Sequence, residues 1–367
     1  MGPLGVVFGG PSPEHDVSVL TGLQAAHALQ GCHREVVAIY WDKHGDFHQV
    51  GTSLEPSDFL AAPVRASRPL QLVAGPRGGF FPARRALRPG RLELEALVNC
   101  CHGGPGEDGS LQAALDLAGV PYTGPTAAGA ALAMDKAAFG AVVAQAGLPQ
   151  LPRLVLDEKA APDFPGPYIV KPRFGGSSIG VEVVADLPTA RARLGANPHL
   201  AQGAVLEPYR PELFDLQVAA RSWPKLELSA IERPLRTDAS AAILGYSDKY
   251  VGGQGMVSAP RELPAQVAPV LADQLRQAAF EVARLCQLRG VARLDFLSDG
   301  EQLYVNEVNT VPGSLAKYLW IDPPVAFTDL LEAMVAEALA RPARRYCTEG
   351  ADGSALRSAG TIASKLG

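Results

Sequence analysis

The residues best suited to chemistry lie in Val291-Ala292-Arg293-Leu294-Asp295-Phe296 and Leu303-Tyr304-Val305-Asn306-Glu307-Val308-Asn309. Side chains two apart on a strand share a face, so Arg293 points with Asp295, and Glu307 with Asn309. Two carboxylates and a carboxamide are hard oxygen donors of the kind Mg²⁺ takes beside phosphates and water. The plainer reading is a solvated polar face balanced by Arg293. The rest of the hairpin is apolar, and buried acids need partners or a metal, which favours the metal reading. All four side chains meet only if the hairpin pairs odd numbers with odd. A two-residue Asp299-Gly300 turn breaks that pattern by pairing Asp295 with Tyr304. A three-residue loop Ser298-Asp299-Gly300, with Gly300 left-handed, preserves it and is predicted here.

Two glycine-rich turns invite a phosphate. Gly104-Pro105-Gly106-Glu107-Asp108-Gly109 matches G-x-G-x-x-G after a strand and before a helix. Glu107 and Asp108 would aim charge at a pyrophosphate, and no acid between Leu117 and Met134 could hold a ribose. A nicotinamide dehydrogenase is set aside on those grounds. No G-x-x-x-x-G-K-[ST] run exists, which excludes a P-loop. Gly175-Gly176-Ser177-Ser178-Ile179-Gly180 follows the strand Tyr168-Ile169-Val170-Lys171-Pro172. Its glycines let backbone N–H groups approach phosphate oxygens, its hydroxyls add donors, and Lys171 adds a cation. An ordinary β-hairpin turn explains the spacing equally well.

The elements that must position these groups alternate in type. Leu4–Phe8, Arg34–Trp41 and Leu94–Cys101 read as buried strands, and Val17–Leu29 and Ser110–Leu117 as helices, the pattern of a parallel sheet covered by helices. Residues 51–92 hold only short elements. The uncharged stretch Leu117–Met134 carries prolines and glycines, so it reads as a loop and not as a membrane span. A helix Lys136–Gln145 follows, then strands near Arg153–Leu156, Tyr168–Lys171 and Gly180–Val184. Strands Leu213–Trp223 and Leu226–Ile231, an amphipathic helix Gln266–Leu288 and the hairpin complete the chain. The 367 residues hold 33 basic and 38 acidic side chains, a net charge of −5 that argues against nucleic acid held by a basic surface. Five cysteines without a C-x-x-C pair suggest neither disulfides nor a zinc ribbon. A reduced, soluble, cytoplasmic protein is expected.

The chain resembles the D-alanine–D-alanine ligases of the ATP-grasp superfamily. The likeness runs in order through Phe8-Gly9-Gly10-Pro11-Ser12-Pro13-Glu14-His15-Asp16-Val17-Ser18, His102-Gly103-Gly104-Pro105-Gly106-Glu107-Asp108-Gly109 and Met134-Asp135-Lys136. It continues through Val170-Lys171-Pro172 with its glycine turn, Asp248-Lys249-Tyr250, Ala292-Arg293-Leu294-Asp295 and Asn306-Glu307-Val308-Asn309-Thr310-Val311-Pro312-Gly313. The resemblance implies an α/β chain with an ATP-grasp fold behind an N-terminal Rossmann-like domain. It implies an N-terminal domain at 1–130, a small ATP-grasp lobe at 131–206, and a large lobe at 207–345 carrying a lid at 246–260. Residues 346–367 form a tail.

The resemblance also implies chemistry. ATP would sit between two lobes, with Lys136, Lys171, Gly175, Gly176, Ser178 and Lys249 on its phosphates, Glu207 near the base, and Glu212 or, second, Asp215 on the ribose. Asp295, Glu307 and Asn309 would hold two Mg²⁺ ions, with Mn²⁺ as a substitute. One D-alanine would attack the γ-phosphate to give an acyl phosphate, and the amine of a second would displace phosphate. The dipeptide would serve peptidoglycan synthesis. Arg293 and the Gly313 N–H would stabilise the oxyanion, and Glu14, linked to Ser177 and Tyr250, would meet the first ammonium. Without the family, Glu14 reads equally as a first-turn acid favoured by the helix dipole. His102 is placed near the first substrate; simple structure explains it as well. Gly252, Gly253 and Gly255 give the lid its mobile points. A homodimer is expected.

One segment departs from the pattern. Members usually continue Met-Thr-Ser-His-Ser-Leu after the glycine, whereas this chain reads Ser314-Leu315-Ala316-Lys317-Tyr318-Leu319. Tyr318 replaces the serine that anchors the second carboxylate, so Lys317 and Tyr318 become the expected anchor. A ligase with another acceptor, such as D-lactate, and a catalytically silent nucleotide-binding homologue are the alternatives.

Overall fold

The computed structural model describes residues 2–60, 63–83, 90–235, 260–341, 347–359, 361, 362 and 365. The first sheet contains β1 (Leu4–Gly9), β2 (Val36–Trp41), β3 (Phe47–Val50), β4 (Arg68–Val73), β5 (Gly79–Pro82) and β6 (Ala96–Asn99), in the order β5-β4-β3-β2-β1-β6. β1 is wholly buried, as an apolar strand covered on both faces must be. Parallel pairing joins β2, β1 and β6, whereas β3, β4 and β5 extend the sheet antiparallel. The sheet is therefore mixed and not simply parallel. Residues 42–46 and 74–78 are hairpin turns, too short for a crossover.

The α-helices among the described residues are α1 (His15–Gly31), α2 (Gly104–Glu107), α3 (Ser110–Ala118), α4 (Ala127–Met134), α5 (Lys136–Gln145), α6 (Leu187–Ala196), α7 (Pro269–Leu285), α8 (Phe327–Ala340) and α9 (Ser354–Ser358). Leu4, Val6 and Phe8 pack with α1 and α8 on one face of the first sheet, and Val7 packs with Leu111 and Leu115 of α3 on the other. Half of the expected loop Leu117–Met134 is helical. Thr126 caps α4 by accepting the Gly129 N–H at 3.1 Å, which outweighs the prolines before it. Among the described residues no single helix is long and apolar enough to cross a membrane.

Two further sheets face each other. The second has the order β7 (Leu154–Leu156), β10 (Ala204–Pro208), β8 (Tyr168–Pro172), β9 (Glu182–Val184). Its even-numbered Val170, Ala204 and Leu206 pack with Ala190 of α6, leaving Lys171 and Glu207 on the opposite face. The third has the order β12 (Glu227–Leu228), β11 (Phe214–Arg221), β15 (Val291–Ser298), β16 (Leu303–Asn309). A two-stranded ribbon, β13 (Arg233–Pro234) and β14 (Arg261–Glu262), adjoins it. Helix α7 buries Leu271, Leu275, Ala279 and Val282, one helical face, against Leu216, Val218, Leu294 and Phe296. That coverage leaves the odd-numbered Gln217, Arg293 and Asp295 on the other face. The expected strand Leu226–Ile231 shrinks to β12. The boundaries 130/131 and 206/207 fall inside α4 and β10.

Helix α1 lies directly on β1. A Cβ at Gly22 would stand 2.3 Å from the Cβ and Cγ of Phe8. A glycine-to-alanine change inside a helix ordinarily stabilises by about 0.5–1 kcal/mol. Gly22→Ala is instead expected to lower the unfolding free energy by about 1–3 kcal/mol through overpacking. A urea titration reads the difference, and a gain in stability would contradict the close packing.

Candidate active site

The polar faces of the second and third sheets enclose a cleft with about 940 Å³ of empty space. Lys136, Lys171, Gly175, Gly176, Ser178, Glu207, Asp215, Gln217, Asp295 and Glu307 line it. Glu207 is 1% exposed and holds two cations: Lys171 Nζ donates to it at 2.7 Å and Arg153 Nε at 2.5 Å. Burial alone would raise the Glu207 carboxyl, but Arg153 and Lys171 overcome it and bring its pKa down to about 2. Arg153 also donates to the carbonyls of Lys136 at 2.7 Å and Asn306 at 3.1 Å, so one guanidinium ties α5, β10 and β16 together. The Lys136 ammonium donates to the Gly175 carbonyl at 2.5 Å and stands 3.7 Å from Glu307. Burial, offset by Glu307, lowers its pKa.

A smaller cavity of about 340 Å³ adjoins the cleft, lined by Glu14, His102, Glu107, Ser177, Arg293, Glu307, Asn309 and Gly313, among others. Glu14 precedes α1 yet makes no side-chain cap bond to it. Its carboxylate accepts a hydrogen bond from Ser177 across the lobes. It is packed so tightly that Cβ atoms at Gly103 and Gly176 would lie 2.4 and 2.9 Å from its Oε2. Glu107 accepts hydrogen bonds from the Gly103 N–H and the Val311 N–H, both at 2.9 Å, and from Thr310 Oγ1 at 3.2 Å. Burial first, then the charge of Glu14, pushes its pKa up to about 7 against those hydrogen bonds. The His102 ring meets the Val311 carbonyl through Nδ1 at 2.5 Å and Thr21 Oγ1 through Nε2 at 2.8 Å. A carbonyl only accepts, so Nδ1 carries the proton and Nε2 accepts from Thr21. Burial above all lowers its pKa to about 4, so the ring is neutral near pH 7. Thr21 Oγ1 also accepts the Ser314 N–H at 3.0 Å. Ser314, Leu315 and Ala316 are left-handed, at φ between +48° and +50°. Such residues cost about 1–2 kcal/mol each.

The hairpin reaches the shared face by a route other than the predicted one. Arg293 pairs with Asn309 and Asp295 with Glu307, odd with odd, but nearer the turn Phe296 pairs with Val305 and Ser298 with Leu303. Four residues, 299–302, form the loop, and an irregularity beside Asp295 leaves Asn306 as the extra residue that shifts the register back. Gly300 is left-handed, at φ +100°. Arg293 grips Asp295 with two hydrogen bonds of 2.7 Å, and the Asn309 amide donates to Asp295 at 3.1 Å. Among the described residues no three His, Cys, Asp or Glu side chains gather as a metal cluster. The two carboxylates and one carboxamide still form a hard-oxygen set of the size Mg²⁺ uses when phosphates complete its shell.

The structure thus brings together Lys136, Lys171, Gly175, Gly176, Ser178, Glu207, Asp295 and Glu307 in the cleft, and Glu14, His102, Ser177, Arg293, Asn309 and Gly313 in the cavity. Glu212 does not join them: it lies exposed in an ion pair with Arg210, whereas Asp215, on β11, lines the cleft. Among the described residues neither space is lined by Lys317 or Tyr318. The Lys317 ammonium turns onto the Phe327 ring, 4.7 Å from its centroid, which removes it from the expected anchor. Lys249, Tyr250 and the lid up to residue 259 lie outside the described residues. Arg153, Thr21 and the work of Glu107 escaped the sequence reading. Glu107 stood inside a quoted motif, but its charge read only as an obstacle to phosphate.

Two antiparallel sheets close their polar faces on a cleft whose walls carry both lysines and carboxylates, the arrangement of the ATP-grasp fold. The family model for the D-ala D-ala ligase N-terminus matches residues 3–125, and that for the C-terminus matches residues 136–336. The D-alanine–D-alanine ligase of Methylobacterium sp. (strain 4-46) is 32% identical, with 94% of this chain and 93% of the relative covered. That of Sodalis glossinidius is 31% identical, covering 94% and 96%. The solved D-alanine–D-alanine ligase from Coxiella burnetii superposes with a TM-score of 0.74 at 21% identity, covering 92% of this chain and 94% of that one. The VanG D-Ala:D-Ser ligase from Enterococcus faecalis superposes at 0.72 with 20% identity, covering 92% and 99%. This chain belongs to the D-alanine–D-alanine ligase family.

Glu207→Gln leaves Arg153 and Lys171 without their shared buried counter-charge. It is expected to cost about 3–5 kcal/mol of stability at neutral pH. The carboxyl is depressed in the folded state, so its contribution is full above the ordinary value of 4.5 and is lost as pH falls toward about 2. Chemical denaturation of the two proteins should therefore show a gap that narrows below pH 4.5. A gap independent of pH would show that Glu207 acts through shape and not charge.

Proposed function

We propose that this protein is an ATP-dependent ligase that joins two D-alanine molecules for peptidoglycan precursor synthesis. One observation carries the reading: a cleft with buried lysines opens onto a cavity where Glu14, Arg293 and Gly313 converge. ATP occupies the cleft, with Lys136, Lys171 and the turn 175–178 at its phosphates and Asp215 on the cleft wall for the ribose. Asp295, Glu307 and Asn309 hold Mg²⁺, which when bound neutralises phosphate charge. Glu14 receives the ammonium of the first D-alanine, and the carboxylate of that D-alanine attacks the γ-phosphorus of ATP, releasing ADP and forming the acyl phosphate. Arg293 and the Gly313 N–H face the oxyanion that forms when the second amine attacks. His102 is neutral, so it fixes the loop after β16 and adds no charge. The same reading keeps three lobes, at 1–130, 131–206 and 207–345, a lid at 246–260 with Lys249 and Tyr250, a homodimer and a cytoplasmic place. The five free thiols fit that last point.

ATP and D-alanine alone should yield ADP, phosphate and a dipeptide identified by mass. Absence of D-alanine-dependent phosphate release would overturn the reading, and product only with D-lactate or D-serine would move it to another acceptor. Glu307→Gln should keep nucleotide binding by calorimetry while lowering turnover by about 100-fold or more. Undiminished turnover would remove Glu307 from the metal site.

A further inference from the structure

Between Val305 and Glu307 of β16, Asn306 stands opposite no residue of β15. From the turn, the ladder pairs Ser298 with Leu303, Leu297 with Tyr304 and Phe296 with Val305. Carried on without a break, that register would set Asn306 opposite Asp295 and Glu307 opposite Leu294. Leu294 packs with α7, so Glu307 would then turn away from the cleft. The extra residue reverses the alternation: Leu303 and Val305 pack with α7, and beyond Asn306 it is Val308 that does. Glu307 and Asn309 thereby come to lie opposite Asp295 and Arg293, on the face away from α7.

A bulged residue loses its ladder partners, so other groups must satisfy its backbone. Arg153 Nη2 donates to the Asn306 carbonyl at 3.1 Å, and Lys171 Nζ donates to the Asn306 side-chain oxygen at 3.2 Å. On the turn side of the bulge, the Val305 N–H donates to the Pro149 carbonyl at 2.8 Å, in the segment that leads to Arg153. Arg153 is itself held fast: the same guanidinium donates to Glu207 and to the Lys136 carbonyl, and its side chain is 5% exposed. Lys171 lines the cleft, where phosphates would compete for its ammonium, whereas Arg153 lines neither the cleft nor the cavity. The backbone of the bulge therefore keeps its holder when a nucleotide enters.

We propose that Arg153 is a positioning residue for the metal site: by pinning the bulge at Asn306 it keeps Glu307 and Asn309 beside Asp295. The inference rests on the reading of those three residues as Mg²⁺ ligands. Lysine at this position keeps a charge beside Glu207 but replaces a planar fork that reaches three groups by a single point. With β,γ-methylene-ATP bound, Arg153→Lys should weaken Mn²⁺ binding, read by electron paramagnetic resonance, by about tenfold or more. Calorimetry in EDTA should show affinity for the metal-free analogue unchanged within about twofold. Deleting Asn306 makes the ladder regular and sets Glu307 opposite Asp295 by strand geometry alone. The deletion variant should bind Mn²⁺ within about threefold of the unmodified protein, and Arg153→Lys in that background should change the affinity less than about twofold. The deletion carries the test by itself if Arg153→Lys does not fold alone. Unchanged Mn²⁺ affinity in Arg153→Lys, or equal losses of metal and nucleotide, would overturn the proposal. Loss of Mn²⁺ from a deletion variant that still binds the analogue would overturn it too. If the unmodified protein with the analogue bound takes up no Mn²⁺, the ligand reading itself fails and the proposal falls with it.

Discussion

Everything in the cleft depends on one buried carboxylate. Lys136, Lys171 and Arg153 converge on the space between two sheets, and in a low-dielectric interior each must keep its charge and its distance from the others. Glu207 answers two of them, and Glu307 stands near the third. Each of the three cations therefore stands beside a carboxylate, and none is stranded. A chain with a net charge of −5 thus gathers cations locally beside the cleft. Placement follows from ordinary strand geometry: Glu207 and Lys171 lie on the same face of adjacent strands, diagonally two register positions apart.

A second constraint works across the lobes. The loop after β16 brings Gly313 to the cavity while three residues in a row stay left-handed. Glu107 holds it through the Val311 N–H, His102 through the Val311 carbonyl, and Thr21 through the Ser314 N–H. These bonds come from the N-terminal lobe, so the backbone strain of one domain is borne by hydrogen bonds from another. They explain why both donor and acceptor groups of the loop are matched although it joins no sheet.

Local patterns in the sequence announced much of this. Period-two alternation in the hairpin placed Arg293, Asp295, Glu307 and Asn309 on one face, and period-three-to-four spacing announced α7. What spacing could not announce was anything set by a distant partner. The register was restored by an extra residue at Asn306, whose carbonyl meets Arg153 just ahead of β7, so the turn alone was a poor guide. Glu212 and Asp215 differ by three residues, and only the fold shows which faces the cleft. Lys317 looked like an anchor because lysines bind carboxylates, but a neighbouring Phe327 ring takes its ammonium. Arg153 carries no motif at all; its role exists only where three elements meet.

The packing of Glu14 against Gly103 and Gly176 has an evolutionary consequence. That wall is made of bare backbone, and any side chain added there would strike the carboxylate. Natural variation therefore has almost no material with which to resize the pocket around Glu14.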